Sequence, residues 1–209
     1  MASLITAPSA ASPALTWSPS ARTQVTFLSH WQEYETSASP RPLQLPSGEL
    51  SRFWPGDEAF DGLGETFDFF WDAVARASID GVGGTLAATV HYGEKYDNAF
   101  WNGERMVFGD GDGEVFTGFT GSISVIAHEL GHGVVEHSGG LEYAGQSGAL
   151  NESVADVFGA LTEQHVRGQT AAEASWLIGA GIFTTAVQGE ALRSMKAPGR
   201  SEEHTSELQ

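Results

Sequence analysis

Apolar residues recur at three- and four-residue steps from Phe60 through Leu63, Phe67, Phe70 and Trp71 to Val74. The stretch opened by Pro55-Gly56-Asp57 therefore reads as an amphipathic helix with one face toward a core, and Phe70 and Trp71 are expected inside it. Asp57, Glu58 and Asp61 sit near its start, where the helix dipole favours negative charge. The glycines at 81–84 break the pattern. Residues 85–92 then read as a strand, with a further strand near 22–27. Asn102-Gly103, between two aromatic-rich segments, is a hairpin signal. Gly109-Asp-Gly-Asp-Gly113 makes a tight loop with a structural role, because the position a calcium-binding EF-hand loop would fill with Glu is Gly121. From residue 122 the period turns helical. One helix is expected over 122–137, stopping at Gly139-Gly140. A second is expected over 147–165, with Leu150, Val154, Val157, Phe158 and Leu161 on one stripe, and a third over 171–187. Strands first and helices later suggest an α+β fold, and no internal repeat is evident.

Composition narrows the chemistry. Ten Lys and Arg stand against 27 Asp and Glu, a formal charge of −17. That balance argues against nucleic-acid binding and against adhesion to an anionic membrane. The chain has no cysteine, which excludes cysteine-ligated zinc, iron–sulfur clusters and a thiol nucleophile. No apolar run has the length of a membrane span. Residues 1–20 hold no Lys or Arg and no compact apolar block, so they make a poor signal peptide. Residues 200–209, RSEEHTSELQ, match the translation of a common sequencing adapter and are read as a non-native tail, outside any site argument.

The decisive string is His128-Glu129-Leu130-Gly131-His132. Two His at i and i+4 share a helical face and can converge on one ion. Glu129, between them, points toward the open side, where it can take a proton from water at the metal. A catalytic zinc wants three protein ligands and one open position. Twenty residues after His132 comes Glu152, on the next expected helix. Asp156 follows one turn later, where its carboxylate can accept the free N–H of a metal-bound His. The metzincin extension is excluded by Val135 and Ser138, and His137 falls on the wrong side of the helix to be a ligand.

In these motifs the chain resembles the thermolysin-like family of zinc metallopeptidases, the standard example of a His₂Glu catalytic zinc site. The resemblance runs from about Asp57 to Pro198. It includes His91-Tyr92-Gly93, Asn98-Ala-Phe-Trp-Asn-Gly103, Met106-Val-Phe-Gly-Asp-Gly-Asp-Gly113, Ser147-Gly-Ala-Leu-Asn-Glu-Ser153 and Ala191-Leu-Arg-Ser-Met195. The fold it implies has a β-rich N-terminal lobe (55–137, including the HExxH helix), after a leader and ill-defined segment (1–54). A partial helical lobe (138–199) follows, with one Zn²⁺ between the lobes.

The resemblance implies a secreted endopeptidase acting on peptides or proteins. His128, His132 and Glu152 would bind zinc, Glu129 would be the general base, and Asp156 would orient His128. Asn98 and the Ala99 backbone match positions that hold the substrate main chain. Tyr143 matches an oxyanion stabiliser, and Arg193 an arginine that holds a substrate carbonyl. Val125, Ile178, Ile182 and Leu192 match the wall of the pocket after the scissile bond, implying a bulky apolar residue there. Two departures stand out. Glu163 matches one carboxylate of the family's double calcium site, but Ser124, Ser175, Leu177 and Ala180 occupy the other places, so no double calcium site is expected. The chain also ends before the family's downstream catalytic His. The alternative reading is therefore a zinc-binding but catalytically dead fragment.

Overall fold

The computed structural model describes residues 55–198 together with the backbone of two strands, 23–29 and 32–35. The leader at 1–20 and the tail at 200–209 lie outside the described residues. The strand expected near 22–27 is β1 (Thr23–Ser29), which pairs antiparallel with β2 (Gln32–Glu35). Helix α1 (Pro55–Val74) follows. Proline fits its first turn, where the missing N–H would have had no helical partner. Ala59, Leu63, Phe67 and Phe70 form its buried stripe. Trp71 is 51% exposed, contrary to expectation. It shares the Phe67 side of the helix but lies one step beyond the buried arc, stacked on the Phe67 ring at 6.5 Å.

Strands β3 (Leu86–Val90), β4 (Ala99–Trp101) and β5 (Met106–Phe108) complete a five-stranded sheet of order β2-β1-β3-β5-β4. Strands β1, β3 and β5 run parallel, while β2 and β4 are antiparallel edges. The expected hairpin joins β4 to β5 in the register Ala99↔Phe108. Asn102 shapes its turn by accepting the Glu104 and Arg105 N–H groups on Oδ1, and Gly103 takes φ 93° there. Asp112 holds the loop at 109–113 in the same way, with Oδ1 accepting from Glu114, Val115 and Phe116.

Two long helices then carry the chemistry: α2 (Ile123–Glu136) and α3 (Gly145–Val166). Leu63, Phe70, Leu86, Met106, Phe108, Ile126 and Leu130 are the large fully buried residues between α1, α2 and the sheet. The α+β class holds, but two local expectations need correction. The stripe on α3 faces inward only in part: Phe158 and Leu161 pack against the core, whereas Leu150 is 52% and Val157 38% exposed. The helix also buries Gly148, Asn151, Ala155, Gly159, Ala160 and Thr162. The close approach of α2 selects small residues there. A Cβ on Gly159 would stand 2.6 Å from the Ser124 carbonyl oxygen, and one on Gly131 would stand 3.0 Å from Ala155 Cα.

The third expected helix, over 171–187, does not form. That segment is a run of turns with β6 (Leu177–Ile178) paired antiparallel to β7 (Arg193–Ser194). Trp176 (φ 59°), Gly179 (φ 72°) and Gly181 (φ 84°) all adopt left-handed backbone, which no right-handed helix can accommodate.

Candidate metal centre

Helix α2 presents His128, Glu129 and His132, and α3 presents Asn151, Glu152 and Asp156, across the seam that Gly131 and Gly159 make narrow. His128 Nε2 lies 3.1 Å from His132 Nε2 and 3.3 Å from Glu152 Oε2, and His132 Nε2 lies 3.4 Å from Glu152 Oε1. Tetrahedral zinc with bonds of about 2.0–2.1 Å separates its donors by about 3.3 Å, so the triangle already has the size the ion requires. Among the described residues this is the one group of three or more His, Asp and Glu side chains that converges in this way.

The far side of each imidazole fixes its orientation. His128 Nδ1 is 2.8 Å from Asp156 Oδ1, and His132 Nδ1 is 2.8 Å from Asn151 Oδ1. Both partners are oxygen acceptors, so both Nδ1 atoms carry hydrogen and both Nε2 atoms are left to face the centre. Asn151 was not foreseen from sequence. Its amide N–H₂ donates to the Leu141 carbonyl at 3.4 Å, which turns Oδ1 toward His132. Nothing in an Asn beside a Glu announces that role until the two helices are docked.

Charge is concentrated here. Burial opposes protonation of His128, but hydrogen bonds to Asp156 and Glu152 and the nearby Glu129 charge override it and raise its pKa to about 9. Glu152 is pushed up by burial and pulled down more strongly by His128 and Tyr143, reaching about 2. Asp156 is also pushed up by burial, yet ends below the ordinary range through its bonds to His128 and Arg193. Glu129, 7% exposed, is raised because burial disfavours its charge. Three carboxylates around two imidazoles make a site built for a cation. A proton on His128 fills that role when no metal does, and metal must displace it.

Most of the other residues singled out from the sequence lie at the same cleft. Arg193 clamps Asp156 with two bonds, Nε to Oδ2 at 2.9 Å and Nη2 to Oδ1 at 2.7 Å. The Tyr143 hydroxyl donates to Glu152 Oε1, with its ring edge-on to His132 and 68% exposed. Asn98, Ala99, Val125, Ile178, Leu192 and Arg193 line a cleft of about 900 Å³ that opens onto the three donors and Glu129. Ile182 does not reach it. That side chain is fully buried in the core behind the wall, and this corrects its assignment to the pocket. His137, at the end of α2, is exposed and stands outside the cluster.

The profile described as thermolysin metallopeptidase, catalytic domain, matches residues 53–136, and that described as thermolysin metallopeptidase, alpha-helical domain, matches residues 139–209. The chain belongs to the thermolysin metallopeptidase family. An extracellular metalloprotease of Pectobacterium carotovorum subsp. carotovorum is 46% identical over 200 residues, covering 82% of this chain and 58% of that protein. Protease PrtS of Photorhabdus sp. (strain Az29) is 52% identical over 145 residues, covering 69% of this chain and 39% of its own length. The solved precursor of protealysin, a metalloproteinase from Serratia proteamaculans, superposes with a TM-score of 0.76 at 44% identity, covering 86% of this chain and 55% of that one. The chain thus spans roughly half the length of these thermolysin-family relatives. The family is zinc-dependent, and the His128, His132 and Glu152 triad fits that ion.

Proposed function

We propose that this chain supplies the zinc centre and substrate cleft of a metalloendopeptidase that hydrolyses peptide bonds in peptides or proteins. The observation that carries the reading is the convergence of His128, His132 and Glu152 at zinc spacing, with the buried Glu129 carboxylate beside them in an open cleft. Bound there, Zn²⁺ supplies Lewis acidity toward a peptide carbonyl and toward water.

The protein groups do the rest. Asp156 and Asn151 hold the Nδ1 protons, so both Nε2 lone pairs stay aimed at the ion. Glu129 accepts a proton from the attacking water and delivers it to the leaving amine, and burial favours the protonated form in between. The Tyr143 hydroxyl is within reach to donate to the developing oxyanion, and Arg193 to a substrate carbonyl. A peptide lies along β4, an edge of the sheet among the described residues, held by Asn98 and the Ala99 backbone as an added strand. Val125, Ile178 and Leu192 line the cleft and favour a bulky apolar residue after the scissile bond.

No calcium pair is proposed at Glu163: Arg167 Nη2 meets its carboxylate at 3.0 Å, and Ser124 Oγ accepts from the Gly179 N–H. Export from the cell is the compartment proposed, in line with the extracellular relative. No described helix is long and apolar enough to cross a membrane, and no nucleic-acid partner is proposed.

Replacing Glu129 with Gln tests the reading. Zinc content by elemental analysis should stay at the parent value. Cleavage of an apolar peptide should fall by about 10²–10⁴-fold, the usual worth of a general base. Undiminished turnover would remove Glu129 from the mechanism. A parent chain that binds zinc and cleaves nothing would leave the centre as a metal site only.

A further inference from the structure

The two ends of the cleft differ in chemistry. Val125, His128, His132 and Glu136 line it from one helix, α2, at steps of three and four residues. Val125 marks the apolar end. There the Gly179 N–H donates to Ser124 Oγ at 3.0 Å, which ties Ile178 beside it, and the Leu192 N–H donates to the Ile178 carbonyl. Glu136 lies about 16 Å further along the helix axis and marks the other end.

The acids that line the cleft are not equally committed. Glu152 belongs to the metal triangle, Asp156 is held by His128 and Arg193, and Glu129 is buried beside the donors. Glu136 is exposed, and its hydrogen bond comes from a neutral donor: Trp101 Nε1–H gives to Oε2 at 2.6 Å. That bond fixes the carboxylate at the cleft and leaves its charge uncompensated, since no cation pairs with it among the described residues. Helix stability does not explain the residue, because it ends α2, where the dipole disfavours negative charge.

There is room in front of it. Gly103 and Gly140 line the same end. A Cβ on Gly103 would meet nothing within 4 Å, and one on Gly140 only the Glu136 carbonyl oxygen at 4.0 Å. The half-buried Trp101 indole adds apolar surface beside that space. A fixed negative charge, open volume and an aromatic ring together suit a long cationic side chain, whose stem packs on the ring while its head meets the carboxylate.

The spacing gives the register. Glu136 is about 6 Å beyond His132 along α2. Trp101, bonded to it, is about 7 Å beyond Ala99 along β4. Either distance is about two residues of extended peptide. We propose that Glu136 is a specificity-determining residue, which takes the side chain of a Lys or Arg two residues before the scissile bond. The direction rests on the proposed function, in which Val125, Ile178 and Leu192 take the residue after that bond.

The test compares three peptides of otherwise one sequence, with Leu after the scissile bond and Lys, Met or Glu two residues before it. Mass spectrometry of the products identifies the bond cut. kcat/KM is measured on the zinc-loaded parent and on Glu136→Gln, which keeps an oxygen for the indole N–H and removes the charge. In the parent, the Lys peptide should exceed the Met peptide about three-fold and the Glu peptide about ten-fold. In Glu136→Gln both margins should shrink to within about two-fold. Raising NaCl from about 0.05 M to about 0.5 M should shrink the parent's margins as well. A Glu136 that serves only to hold Trp101 would leave the margins the same in parent and variant, and that result overturns the proposal. So does a parent that shows no preference for Lys. A parent that cleaves none of the three defeats the proposed function instead. Calorimetric binding of the same peptides to the zinc-loaded chain then judges Glu136. A Lys peptide bound about ten-fold tighter than the Glu peptide, with the margin lost in Glu136→Gln, upholds its role, and equal affinities overturn it.

Discussion

The seam between α2 and α3 and the wall across the cleft from it are built differently. The seam is two helices of 14 and 22 residues in backbone contact through Gly131, Ala155 and Gly159. Every group that touches the proposed ion comes from it, and so do the partners of both imidazoles. The wall, drawn from 171–198, has regular structure only in the two-residue strands β6 and β7. It is held by left-handed turns and single bonds, such as the Gly179 N–H to Ser124 Oγ at 3.0 Å. Periodic structure fixes donors to within tenths of an ångström. Irregular structure shapes a cleft and leaves its dimensions adjustable.

The largest expected effect sits in the seam and depends on pH. A pKa raised from 6.5 to about 9 means His128 contributes stability fully present below pH 6.5 and lost as pH rises through 9. Its magnitude is on the order of a few kcal/mol. Glu152, lowered from 4.5 to about 2, contributes stability that is present above pH 4.5 and lost as pH falls toward 2. Chelated protein should therefore show its highest Tm between these limits and a decline from pH 7 to 9.5. With zinc present the alkaline decline should shrink, because the ion replaces the proton. An alkaline decline identical with and without zinc would break the comparison.

Next in size is Gly159→Ala. The new methyl meets a main-chain oxygen at 2.6 Å, so the helices must separate, at a cost of about 1–3 kcal/mol in urea unfolding. Zinc affinity should weaken in parallel, and a neutral result would mean the seam is looser than its geometry. The smallest effect belongs to the outer face of α3. Leu150→Gln should shift stability by less than about 0.5 kcal/mol, since that side chain is already half in water.

These differences also explain what could be read from the chain. The His128/His132 spacing is a property of any helix, and Glu152 and Asp156 repeat it on the next, so both appeared before any docking was known. The inward side of α3 did not, because hydropathy rewards Leu150 and Val157 while the seam needs Gly and Ala. The helix expected over 171–187 failed at the left-handed Trp176, Gly179 and Gly181; there the Trp176 carbonyl accepts from the Met195 N–H and the Gly179 N–H donates to Ser124 Oγ, both distant in sequence. Asn151 and Ile182 mark the same boundary. One gains a role and the other loses one solely through where distant segments come to rest.

Because three donors ride on two rods, slippage is all-or-none. Advancing α3 by one residue would swing Glu152 through about 100° around its axis and carry every acidic contact away at once. The ion therefore serves as a gauge of helix registry, and metal retention during gentle heating would report the moment the rods begin to slide.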